Sequence, residues 1–159
     1  LFGAARGCTE AEISLAFMLF GLCGVYLGPW LTQWTTQAFG PGRALAVGAL
    51  VMAGGLLYFA SSPTLTAAYL TVLLFGLTDS FLFNQGLGYL TSRRAVARFG
   101  EPKAMGVFHV FESAGEALGP MVFGLAMSAG LASGVALIGG ALAAGAGLFW
   151  AVAKPRKEL

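Results

Sequence analysis

The chain has 159 residues, of which 57% are apolar and only 10% charged, with a net charge of +2 and 24 glycines. A soluble domain of this length needs a surface with roughly 25–35% Lys, Arg, Glu and Asp, so an ordinary water-soluble fold is excluded and a soluble, very apolar bundle is the bland alternative. The apolar residues gather in stretches close to the ~20 that a helix needs to cross about 30 Å of hydrocarbon.

Thr9-Glu10-Ala11-Glu12 has the capping-box spacing, in which a threonine and a glutamate three residues later each satisfy an orphan backbone N–H. It opens a first span predicted over about 13–36. Phe39-Gly40-Pro41-Gly42-Arg43 then breaks the chain, because glycine and proline end one helix and begin the next. A second span follows over about 44–60, and the turn Ser61-Ser62-Pro63 places a proline where helices favour one, at the start of the next. The third span covers about 65–90 and the most polar segment, 91–103, follows it. The fourth runs over about 104–127 and, after Ser128-Ala129-Gly130, the fifth over about 131–153, before a basic tail. Transmembrane strands would be ~10 residues long with strict alternation, and nothing here alternates. The expected fold is all-α: a polytopic membrane bundle of five transmembrane helices forming a single domain over 1–159. The opening, Leu1-Phe2-Gly3-Ala4-Ala5-Arg6, has neither an initiating methionine nor a basic leader, and reads as a piece of a longer protein.

Five crossings put the ends on opposite sides. One side then collects Arg43, Arg93, Arg94, Arg98, Lys103, Lys154, Arg156 and Lys157, and the other has Arg6 alone. Basic residues stay on the cytoplasmic side during insertion, so the N-terminal end is expected outside and the C-terminus inside, in a bacterial inner (plasma) membrane. The asymmetry also argues against dual topology. Cys8 and Cys23 are too far apart along a helical path to pair. Gly24-x-x-x-Gly28, Gly115-x-x-x-Gly119 and Ala141-x-x-x-Gly145 are small-residue pairs of the kind that let membrane helices approach, although a glycine-rich chain also yields such pairs by chance.

Polar groups inside the spans carry the chemistry. Asp79 lies mid-way along the third span, with Asn84 and Gln85 one to two turns on, and His109, Glu112 and Glu116 lie in the fourth. The last three fall within roughly 60° around a helix, a stripe that Ser113 extends. A charge at the bilayer centre costs ~2.5–3.5 kcal/mol, so such residues face protein or a water-filled cavity. Burial and a neighbouring carboxylate both favour the protonated acid, which suits a proton or cation site. The alternative is a stripe that only mediates helix contact. No metal or redox motif, no H-E-x-x-H, no phosphate loop and no G-x-S-x-G elbow occurs, and the single histidine excludes a second-helix partner for a serine nucleophile. No enzyme activity, cofactor, metal or nucleic-acid partner is expected.

Two motifs carry a family resemblance. Gly28-Pro29, Trp34 and Phe39-Gly40-Pro41-Gly42-Arg43 resemble the signature of the major facilitator superfamily at the cytoplasmic end of the second helix of each half. There a glycine-rich stretch ends in an Asp-Arg-x-Gly-Arg type of loop. Gln37 and Ala38 stand where its acidic and first basic residues would be, which puts the usual conformational latch in doubt. Gly115-x-x-x-Gly119-Pro120-x-x-Phe123-Gly124 is similar to the G-x-x-x-G-P-x-x-G-G pattern of exporter-type members, with Phe123 in place of a glycine. A merely kinked helix is the alternative. Asp79, where a first-half sequence commonly shows an arginine, and the basic tail favour helices eight to twelve of twelve. The resemblance implies a partial fold of that family and most of one helical bundle of a secondary active transporter, working by alternating access on a small-molecule substrate together with its remaining half. It makes Asp79, Asn84 and Gln85 candidates for the substrate cavity. Glu112, Glu116 and His109 become candidates for coupling, and Gly28, Pro29, Gly40, Arg43, Gly115, Gly119 and Pro120 for the loop and kink. The competing expectation is a non-transporting membrane sensor or scaffold.

Overall fold

The computed structural model describes residues 9–91, 96 and 100–153 and contains no strand among them. Five helices follow one another: α1 (Glu10–Phe39), α2 (Pro41–Ser61), α3 (Leu65–Thr91), α4 (Glu101–Met127) and α5 (Leu131–Val152). All five lie where the apolar stretches predict them, and each but α5 is a little longer than its apolar stretch. Four of them, α1, α2, α3 and α5, are long and apolar enough to cross a membrane. With 27 residues α4 matches them in length. Its Glu101, Lys103, His109, Glu112 and Glu116 make it less apolar, so the described residues hold four such helices where the sequence predicts five crossings. Of the basic residues that set the expected orientation, only Arg43 and Lys103 fall within the described residues; Cys8 lies outside them too, and Cys23 is half-buried.

The ends of the helices follow from local chemistry. At the start of α1 both bonds of the capping box form, Glu12 N–H to Thr9 Oγ1 at 3.3 Å and Thr9 N–H to Glu12 Oε2 at 2.8 Å. Gly40 alone joins α1 to α2, with φ 77° and ψ 161°, a region essentially closed to residues with a Cβ. Pro41 begins α2, where its missing N–H leaves nothing unsatisfied. Pro63 does not begin α3: Thr64 accepts from the Ala67 N–H and caps the helix, which starts at Leu65, two residues later than the turn motif suggests. Pro29 and Pro120 both lie inside continuous helices.

Side by side, the helices run α1–α3–α2–α5–α4 rather than in sequence order. This order follows from small residues meeting large ones. Gly76 of α3 lies on the backbone of Phe20 in α1, and Gly48 of α2 lies under the Phe81 ring of α3. Gly139 of α5 sits on Leu56 and Leu57 of α2, where an added Cβ would be 3.1 Å away. In lipid, where apolar burial drives no association, close approach of this kind and interhelical hydrogen bonds hold helices together. Thr71 supplies one such bond, its hydroxyl donating across to the Gly55 carbonyl at 3.0 Å as well as to its own helix at 2.8 Å. By contrast α4 buries none of its residues. It packs chiefly on α5, where Gly134 meets the carbonyl of Ala126.

Candidate functional site

The polar residues of α3 divide by helix face. Gln85 is 2% exposed, and its amide N–H2 donates to the Thr32 carbonyl at 3.0 Å and to the Thr36 hydroxyl. It ties α3 to α1 at the threonine-rich end of α1, where Thr32, Thr35 and Thr36 each turn a hydroxyl back onto their own helix. Gln85 is thus a polar link between the two helices. Asp79 and Asn84 are exposed. Asp79 has no partner among the described residues, whereas Asn84 is engaged.

The contact between α3 and α4 fixes where Asp79 stands. The Phe83 and Phe108 rings meet edge to face with centroids 6.2 Å apart, and Phe108 also lies over Gly86. Nine residues join the two helices. That connection, at ~3.3–3.6 Å per residue, is too short to run back along a 27-residue helix of roughly 40 Å. The two helices therefore do not run parallel side by side. Asp79 lies one turn before Phe83, and Glu112 one turn after Phe108, each on the same face as the ring beside it. Asp79 and Glu112 thus each lie about 6 Å along their own helix from this ring contact, on the side away from the connection between the two helices.

On α4 the stripe is partly self-engaged. His109 Nδ1 and Glu112 Oε2 lie 2.8 Å apart, with side chains 55% and 32% exposed. The His109 ring also meets the Phe108 ring at 5.9 Å. Glu116 is exposed, as are Gly115, Gly119 and Pro120, and a Cβ added at either glycine meets nothing within 4 Å. Pro120 has no N–H to offer the Glu116 carbonyl one turn back. Among the small-residue pairs, then, Gly24 and Gly28 are buried packing positions, whereas Gly115, Gly119 and Gly145 face open space. No group of three metal-binding side chains occurs among the described residues.

The loop residues form a separate cluster at the opposite end of α2 from Ser61. Arg43 stands 5.3 Å over the Trp150 ring, which also meets Phe39, and Tyr89 packs on Phe149. The Arg43 Nε is buried with no hydrogen-bond partner among the described residues. Gly42 lies against the Tyr89 ring, and Gly28 accepts the Thr32 hydroxyl at 2.8 Å, with Pro29 exposed beside it. A guanidinium over an indole is attracted by the ring quadrupole, and this cluster joins the ends of α1, α2, α3 and α5. Sequence reasoning missed Trp150 as the partner of Arg43, and the contact between Phe83 and Phe108. The regular spacing of aromatic residues along apolar helices gives no sign of which rings meet.

Comparison with protein-family models, with curated proteins and with solved structures finds no match. The reading of function therefore rests on the residues and their arrangement.

Proposed function

We propose that this chain forms most of one helical bundle of a secondary transporter, with α4 as its fifth membrane crossing, and that it moves a small solute by alternating access with proton coupling at Asp79, Glu112 and Glu116. The observation that carries the reading is the placement of Asp79 and Glu112 each one turn from the Phe83–Phe108 contact between α3 and α4. Carboxylates within apolar helices are costly, and they lie along solute or proton pathways where water or a partner reaches them. Here they flank an aromatic contact, with Glu116 one turn beyond Glu112 and His109 engaged on Glu112. Carboxylates placed along such a pathway are the groups through which proton movement is coupled to the conformational change. The resemblance of the Gly28–Arg43 and Gly115–Gly124 motifs to the major facilitator superfamily supports the same reading. Its substrate site would lie between two such bundles near the midplane.

The test is solute uptake and efflux by the natural polypeptide that carries this chain, screened over sugars, small metabolites and amphipathic drugs. Asp79→Asn and Glu112→Gln are expected to lower transport driven by a pH gradient roughly tenfold or more, at unchanged amounts in the membrane. Glu116→Gln is expected to shift its pH dependence. Transport unchanged at every pH in all three variants removes the coupling. No flux of any solute favours a sensor or scaffold.

A further inference from the structure

The end of the bundle that holds Arg43 brings four helices together. Phe39 closes α1, Arg43 lies in the first turn of α2, Tyr89 in the last turn of α3, and Phe149 and Trp150 in the last turn of α5. Arg43 stands 5.3 Å over the Trp150 ring, Trp150 meets Phe39 at 6.3 Å, and Tyr89 meets Phe149 at 5.4 Å. All four helices are long and apolar enough to cross a membrane. Their shared end therefore stands where hydrocarbon gives way to headgroups, the level at which tryptophan and tyrosine gather.

The cluster is short of hydrogen-bond acceptors. The Arg43 Nε is shut off from solvent and has no partner among the described residues. The indole face attracts the guanidinium but is only a weak acceptor. In addition, α2 begins at Gly40 without a side-chain cap, so its first N–H groups lack a side-chain acceptor. A buried donor left unpaired costs the desolvation of that group, and a guanidinium cannot shed its charge. Arg43 is half-buried, so part of the side chain remains reachable. Beyond α3 and α5 the sequence adds Arg93, Arg94, Arg98, Lys154, Arg156 and Lys157 against one acid, Glu158; these lie outside the described residues and form no part of the site.

We propose that the Arg43 end of α2 binds the phosphate of an anionic phospholipid, with the guanidinium donating to the phosphate oxygens and the Phe39 and Trp150 rings lying along the glycerol and upper acyl chains. A guanidinium fork matches phosphate in geometry as well as charge, and basic pockets between membrane helices take anionic headgroups. A soluble phosphate offers the same chemistry, but the aromatic walls and the level of the cluster favour the lipid. The inference rests on these four helices crossing the membrane, and on no part of the transport reading.

The test uses the full chain with Trp30→Phe and Trp34→Phe, which leaves Trp150 as its single indole. In phosphatidylcholine vesicles, quenching of Trp150 is followed as a brominated phospholipid is added, either phosphatidylglycerol or phosphatidylcholine. Brominated phosphatidylglycerol is expected to reach half-maximal quenching at about fivefold lower mole fraction. Arg43→Gln and Arg43→Met, the second keeping an unbranched stem against the indole, are each expected to abolish that difference while quenching by phosphatidylcholine stays unchanged. Equal quenching by the two lipids in the parent chain overturns the proposal. So does a difference that survives in either variant, which assigns it to the flanking basic residues. Loss of the difference on adding inorganic phosphate at matched ionic strength assigns the site to a soluble anion, and equal quenching that becomes unequal in Glu158→Gln assigns Arg43 to that acid; each overturns the lipid site.

Discussion

Replacing Gly76 with valine separates α1 from α3 and lowers the stability of the helical array by about 3 kcal/mol or more. A Cβ at this position meets the carbonyl oxygen of Phe20 and lies 2.7 Å from its Cα and 2.9 Å from its carbonyl carbon. These are backbone atoms in the middle of a helix and have no rotamer to move into. Relief can come only by moving one helix away from the other. That movement also breaks the donation from Gln85 to Thr32 and Thr36, because both bonds span the same pair of helices. Denaturation of the purified chain in mixed micelles measures the loss. Gly88 is the matched control, on the same helix with nothing within 4 Å of an added Cβ. Gly88→Val is expected to cost no more than about 1 kcal/mol, the scale of helix propensity. Equal effects at the two positions would show that α1 and α3 do not meet at Phe20.

Gly134→Val produces the second large effect, of about 2 kcal/mol, and its consequence is local. The added carbon meets the Ala126 carbonyl and lies 2.6 Å from Met127 Cε. The methionine can turn aside, but the carbonyl belongs to the last turn of α4. Since α4 packs chiefly on α5 and buries none of its residues, pushing the two apart frees most of α4. Amide exchange is expected to accelerate through α4 while the exchange of α2 stays unchanged. Gly140→Val, on the same helix and facing open space, is the control. Uniform acceleration across all helices would contradict the picture of α4 as an outlying member of the bundle.

Much of this fold was legible in one dimension, and the reasons are local. Apolar length places the helices, and Gly40, Gly100 and Gly130, all at positive φ, mark three of their starts. The capping box at Thr9 forms as its spacing predicts. Legibility ends where two elements must be compared. The side-by-side order α1–α3–α2–α5–α4 depends on which glycine lies under which large residue, and neither partner identifies the other in the sequence.

The site shows the same division. His109 and Glu112 are three apart on one helix and pair as that spacing allows. Asp79 and Gln85 were grouped by chemical type and nearness, yet six residues on a helix turn through about 240°. The structure accordingly buries one and exposes the other. That part of the outcome was available from periodicity alone. The placement of Asp79 and Glu112 around one ring contact was not, because it depends on which rings meet, here Phe83 and Phe108.

The most direct measurement is thiol cross-linking of Asp79→Cys with Glu112→Cys in membranes, with Cys8 and Cys23 replaced by serine. The linker spans about 10 Å, the usual distance between packed helices. Efficient linking of this pair is expected, with little for Asp79→Cys with Ser128→Cys, which lie roughly 24 Å apart along the helix direction. Failure of the first pair, or preference for the second, would contradict the placement of the two carboxylates beside one ring contact and with it the proposed site.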